Sequence, residues 1–311
     1  MSPIRPFRFG AGAFMAASRN EWAENARRVE ALGYDTLLMA DHFASDLFAL
    51  TPALMAAALA TTTLRVGSFV YDNDFRHPAL LAKETATIDM LSDGRLEFGI
   101  GAGWKKQEYE QAGLPFDRPG TRVDRMQEAV RILKGLWGDG PLTFTGQHYA
   151  IQGLDNWPKP VQRPHPPIHI GAGGKRMLAF AAQEADIVGI IAPATPAGGL
   201  DTGSDSEARL AEQVAWVREA AGARFGDLEL AALVWQVAVT DHPRAAVEEL
   251  AGAHGLTPAQ VLASPYLLVG GIDGIVERLV TLRERYGVSY YTVFPDDVEA
   301  FAPVVTRLAR R

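Results

Sequence analysis

The sequence contains no cysteine. That excludes disulfides, thiolate nucleophiles and cysteine-ligated metals, and it agrees with a reducing, cytoplasmic setting. There is no run of the ~20 apolar residues that a membrane-crossing helix needs. Met1 to Arg8 carries arginines with no apolar stretch behind them, so no secretory signal is expected. Positive charge is not in excess either. The 30 Lys and Arg are outnumbered by 37 Asp and Glu, the formal charge is -7 and the pI is near 5.5, which argues against nucleic acid as a partner. No internal repeat and no long low-complexity tract is present. Prolines between His165 and His169 break the helical spacing a metal pair would use, and no catalytic metal is expected. Against these absences stand 311 residues, 48% of them hydrophobic, enough for the large core of one α/β barrel of ~250 or more residues.

Apolar alternation and helical stripes alternate along the chain. Strands are expected at residues 7–11, 35–40, 65–71, 95–101, 168–170, 186–191, 228–240 and 289–294, with helical patterns between them. Ser18 and Glu21 have capping-box spacing, and Pro78 stands where a helix start tolerates it. Eight such units predict a parallel sheet closed into a (β/α)8 TIM barrel, a single domain over residues 1–311. Insertions follow strands 4, 6 and 7. The first includes a surface hairpin at residues 142–151 and a proline-rich extended connection at 157–167. The second is a loop at 192–206, rich in Gly, Pro, Ser and Thr and without period.

Two glycine clusters stand where strands end. Strand four runs into Gly99-Ile-Gly-Ala-Gly-Trp104, and its glycines are expected to leave open volume at the barrel rim. A dinucleotide fingerprint fails there, because Trp104 occupies the place of the third small residue. Strand five ends in Gly171-Ala-Gly-Gly-Lys-Arg176. This is no Walker loop, since Arg follows Lys175 and His169 stands where the first Gly belongs, but a helix start with Arg176 nearby suits an anion. The alternative is a pair of tight turns. Asp41-His42-Phe43 ends strand two, where a barrel places its catalytic groups; the alternative is a capping Asp beside a surface His. Glu97 is expected inside the barrel, as a structural carboxylate needing a cation.

Taken together, Ala40-Asp-His-Phe43, Leu64-Arg-Val-Gly67, the segment Ser92 to Trp104 with Glu108, and Pro167-Ile-His-Ile-Gly-Ala-Gly-Gly174 resemble the bacterial luciferase-like monooxygenase superfamily, and within it the F420-dependent oxidoreductases. The resemblance implies a barrel, often a homodimer, that holds a flavin or deazaflavin at its C-terminal rim. It implies hydride transfer between coenzyme F420 and a small-molecule substrate; the alternatives are an FMN-dependent monooxygenase using oxygen and a non-catalytic ligand-binding barrel. Carried over by position, His42 is the proton-transferring residue. Asp41, Ser68, Phe69, Val70, Ala102, Gly103 and Gln107 line the ring, and Gly173, Gly174 and Arg176 take the phosphate. A non-prolyl cis peptide is expected between Ser68 and Phe69. Trp104 departs from the sugar-phosphate dehydrogenases of the group, which carry a catalytic Glu at that place, and this speaks against a glucose-6-phosphate substrate.

Overall fold

Each apolar run pairs in parallel with its neighbours until the sheet closes. The computed structural model describes residues 5–43, 46–192, 194–195, 199–200 and 206–309. The barrel strands are β1 (Arg8–Gly12), β2 (Thr36–Met39), β3 (Arg65–Ser68), β4 (Leu96–Gly101), β5 (Ile168–Ala172), β6 (Ile187–Ile190), β7 (Glu229–Leu233) and β8 (Val288–Val293). Each is hydrogen-bonded in parallel to the next, and β8 returns to β1, giving a closed (β/α)8 barrel.

Helices form the outer layer: α1 (Arg19–Ala31), α2 (Leu50–Ala60), α3 (Pro78–Leu91), α4 (Lys106–Ala112), α5 (Pro119–Trp137), α6 (Lys175–Glu184), α7 (Glu207–Ala221), α8 (Pro243–His254), α9 (Pro258–Ala263), α10 (Ile272–Tyr286) and α11 (Val298–Leu308). α1 shows why they form. The Ser18 hydroxyl accepts the Glu21 N–H, and Trp22, Ala26 and Val29 face the barrel on one stripe. The reciprocal arm of the expected capping box reaches Ala17 N–H instead. Pro78 occupies the first turn of α3. No helix among the described residues is long and apolar enough to cross a membrane.

The insertions fall where the pattern put them, with two corrections. The hairpin pairs Leu142–Thr145 with Ala150–Leu154 in antiparallel register. The strand expected at 228–240 is two strands. Val234 N–H still bonds Thr292 of the barrel, but Trp235 N–H turns to Tyr266 O, and Gln236–Val239 then pairs with Leu267–Gly270 outside the barrel. An apolar run records burial, and it continued because the second half is also partly covered: Val237 joins the main core and the strand packs on α11, while Ala238 lies against the cluster of α8 and α9. The strand expected at 65–71 breaks after Ser68 and resumes as Tyr71–Asp72 against β4. Within loop 192–206, Ala194–Thr195 pairs with Gly199–Leu200; the rest of that expected mobile loop, apart from residues 192 and 206, lies outside the described residues.

The interior of the barrel floor is charged. Arg8 reaches Glu97 at 2.5 Å and Glu229 at 2.7 Å, and lies over the Tyr290 ring. Tyr290 donates to Glu97 at 2.8 Å. Burial opposes ionisation of Glu97, but Arg8 outweighs it and holds the carboxyl below the usual range. The cation expected for Glu97 is therefore Arg8. Above this layer His169 is buried, with its ring 5.3 Å from Phe69 and, among the described residues, no hydrogen-bond partner for either ring nitrogen.

Candidate active site

His42 lies just past the end of β2 at the C-terminal rim. Its Nδ1 is 2.9 Å from Oε2 of Glu108, which comes from α4, the short helix after β4. Lys105 Nζ stands 2.7 Å from the other carboxylate oxygen, one turn earlier on the same segment. Glu108 is buried; burial alone would raise its pKa, but Lys105 and His42 outweigh it and hold the carboxyl below its ordinary value. An ionised carboxylate only accepts, so Nδ1 donates to Glu108 and Nε2 is the ring nitrogen left for another partner. Among the described residues no partner holds Nε2. The Trp104 ring meets the imidazole edge-on at 5.9 Å.

Asp41 has a different employment. Its carboxylate takes a two-pronged contact from Arg76, at 2.5 and 3.1 Å, and the Asp72 N–H at 3.2 Å. It fastens the loops after β2 and β3 to each other and so fixes the backbone that carries His42.

The glycines of β4 do not leave open volume at the rim, which corrects the expectation from sequence. A Cβ on Gly99 would lie 2.1 Å from the Ser68 carbonyl oxygen, and one on Gly101 would lie 2.7 Å from Val70 Cγ2. The bend of strand three fills the space. Ser68 is buried and its hydroxyl spans both polar groups of Gly99, accepting from N–H and donating to C=O at 2.8 Å each. Phe69 N–H bonds Met39 O at 2.7 Å, and its ring turns inward over His169. The non-prolyl cis peptide is present, one bond later than expected, between Phe69 and Val70.

Beyond β4, Gly103 adopts φ +74, and a Cβ there would strike the Tyr109 hydroxyl at 1.9 Å. Buried Arg122 donates to the carbonyls of Ala102 and Gly103 and to that of Asp117, and stacks on Phe116. Behind this turn Tyr109 donates to Asp72, whose carboxyl burial pushes up to about 7. Gln107 sits exposed on α4.

The turn from β5 into α6 is the second half of the rim. Gly174 caps α6 with no side-chain bond, and among the described residues nothing stands within 4 Å of a Cβ built there. Gly171 is nearly as open, with only Ile191 Cδ1 at 4.0 Å among the described residues. Arg176 is exposed and pairs with Asp124 of α5. Among the described residues no group of His, Asp and Glu is arranged to hold a metal ion.

Comparison with known proteins places the chain in a family. Residues 5–266 fit the family described as luciferase-like monooxygenase. The chain belongs to that family. Over 131 residues it is 34% identical to an FMNH(2)-dependent dimethylsulfone monooxygenase from Pseudomonas putida, a match covering 42% of this chain and 36% of that protein. Over 173 residues it is 29% identical to the F420-dependent glucose-6-phosphate dehydrogenase of Amycolatopsis mediterranei (strain U-32), covering 52% and 50%. The matches thus span half or less of these relatives' lengths. The fold is similar to that of a coenzyme F420-dependent tetrahydromethanopterin reductase from Methanopyrus kandleri, with TM-score 0.77 over 98% of this chain and 99% of that one at 18% identity.

Several site residues of this luciferase-like chain were not visible as such in its sequence. Lys105 and Glu108 have the i, i+3 spacing of a helical ion pair, which is a signal, but nothing local ties them to His42. Arg76, Arg122 and Gln213 reach their partners across 35, 20 and 40 residues, and no spacing rule finds such contacts.

Proposed function

We propose that the protein, folded as a single domain over residues 1–311, is an oxidoreductase that moves a hydride between coenzyme F420 and a small organic substrate. The observation that carries this is the His42–Glu108–Lys105 chain at the rim. A hydride moved to or from a carbonyl carbon must be matched by a proton at its oxygen. His42 is built to handle that proton at Nε2, because Glu108 holds the opposite edge of the ring. The residues present fit a ring system bearing a phosphate. Ser68 and Val70 form a firm back wall packed on Gly99 and Gly101, and the N–H groups at the uncapped start of α6, with Gly173, Gly174 and Arg176 around them, suit an anion. Arg176 would have to exchange Asp124 for the phosphate. Asp41 holds the strand-two loop, while Phe69, Ala102, Gly103 and Gln107 border the ring. When bound, F420 supplies or accepts the hydride.

Exposed Phe43, Trp104 and Phe294, each just past a strand end, favour an apolar organic substrate. Use of reduced FMN with oxygen is the second reading, favoured by the 34% identity to the dimethylsulfone monooxygenase. Titrating the protein with F420 and with FMN, each oxidised and reduced, tests the choice: F420 is expected to bind more tightly, and tighter FMN binding overturns it.

The apolar outer face of α2 supports a homodimer. The helix carries no charged residue and exposes Leu59, and the neighbouring α3, which packs against it, exposes Leu80 and Leu91.

A further inference from the structure

The apolar stripe of α7, with Leu210, Val214 and Val217, is interrupted by a glutamine. Gln213 is 1% exposed. A buried amide must find partners, and this one finds them in two different loops. Its Nε2 donates to the carbonyl of Gly173, in the β5–α6 turn, at 3.0 Å, and to the carbonyl of Ile191, just past β6, at 2.9 Å.

The consequence follows from peptide geometry. The Gly173–Gly174 bond is not among the cis peptides, so the Gly173 C=O and the Gly174 N–H point in opposite directions. Pulling the carbonyl toward α7 turns the N–H away from it. The same holds for Ile191 C=O and Ala192 N–H. A glycine pair has no side chain to fix its peptide plane, and among the described residues no side chain caps α6, so the turn would otherwise be free to rotate. The first helical hydrogen bond is made by Leu178 N–H to Gly174 O, at 3.0 Å. The N–H groups of Lys175, Arg176 and Met177 therefore have no acceptor within the helix and lie next to the one that Gln213 orients.

We propose that Gln213 is a positioning residue for the cofactor's phosphate. It fixes the Gly173–Gly174 peptide so that the Gly174 N–H joins the start of α6 in a single donor set for phosphate oxygens. It touches neither cofactor nor substrate. The inference rests on the assignment of a phosphate-bearing cofactor to this rim.

The test compares ligands that differ in the phosphate. Affinities for FMN and riboflavin, and for F420 and its phosphate-free deazaflavin, are measured by fluorescence titration in the wild-type protein and in Gln213→Met, which keeps the chain length and removes both donors. The wild type is expected to prefer the phosphate-bearing member of at least one pair. In Gln213→Met that preference should fall about tenfold, the size of one charge-assisted hydrogen bond lost, while the phosphate-free member binds as before. An unchanged preference, or equal weakening of both members as general loosening would give, overturns the role of Gln213 and leaves the cofactor assignment standing. Failure of both pairs to bind the wild type overturns the cofactor assignment, and this inference with it.

Discussion

His42 and Glu108 are held 2.9 Å apart, Nδ1 to Oε2, by two rim loops that are 66 residues distant in the chain. The contact occupies Nδ1 and leaves Nε2 as the nitrogen proposed to handle the substrate's proton, and Lys105 helps hold the carboxyl below its usual range. His42→Ala should retain cofactor affinity and lose most turnover, since a positioned acid–base group contributes roughly 10²–10⁴-fold. Glu108→Gln keeps the shape but allows the ring to turn over; a drop in kcat of roughly tenfold or more is expected, with a shifted pH profile. Normal kcat with an unshifted profile in Glu108→Gln would remove the carboxylate from the mechanism.

Gly99 tests the contact between β4 and the bend of strand three. Its missing side chain admits the Ser68 carbonyl, which is backbone and cannot swing aside. Gly99→Ala should destabilise the fold by ~2–4 kcal/mol, toward the upper end for overpacking. Gly174→Ala, with no atom of the described residues within 4 Å of the added methyl, should cost well under 1 kcal/mol by comparison. Urea denaturation of the two variants side by side gives the answer; equal midpoints would show that the bend is not packed as described.

Burial lowers the pKa of His169 to about 4, an effect that nearby Glu97 only partly offsets. In the unfolded chain the same ring takes a proton near ~6.5. Above that pH neither state is protonated and the contribution is neutral. As pH falls from ~6.5 toward 4, only the unfolded state gains the proton, so stability is lost; below 4 the loss levels off. A difference of roughly 1–3 kcal/mol is at stake. Replacing the ring in His169→Leu should flatten that window of the stability-against-pH curve. If wild type and variant fall in parallel between these pH values, His169 is not the titrating group.

The uncharged outer face of α2 bears on assembly. Leu59→Glu combined with Leu91→Glu should convert a dimer to a monomer in sedimentation equilibrium without loss of the far-ultraviolet helical signal, because both side chains are exposed in the single chain. A wild-type protein that sediments as a monomer at micromolar concentration would dismiss the dimer.

The sequence by itself determined the barrel. Period-two apolar runs alternate with stripes such as Trp22, Ala26 and Val29, and eight repeats of that alternation have few other solutions. It also located the rim, because His42, the glycines after β4 and the glycines after β5 each follow a strand directly. These are local properties: side-chain period, chain freedom at glycine, and order along the chain. What each rim residue touches is not local. Only the closed barrel showed that Gly99 and Gly101 of β4 admit the bend of strand three, at Ser68 and Val70, that Asp41 serves Arg76, and that Glu108 serves His42. It alone showed the run after residue 228 leaving one sheet for another at Trp235, since burial in either sheet writes the same apolar letters. Periodicity records whether a residue is covered; the identity of what covers it is decided by strands and helices that meet only when the barrel closes.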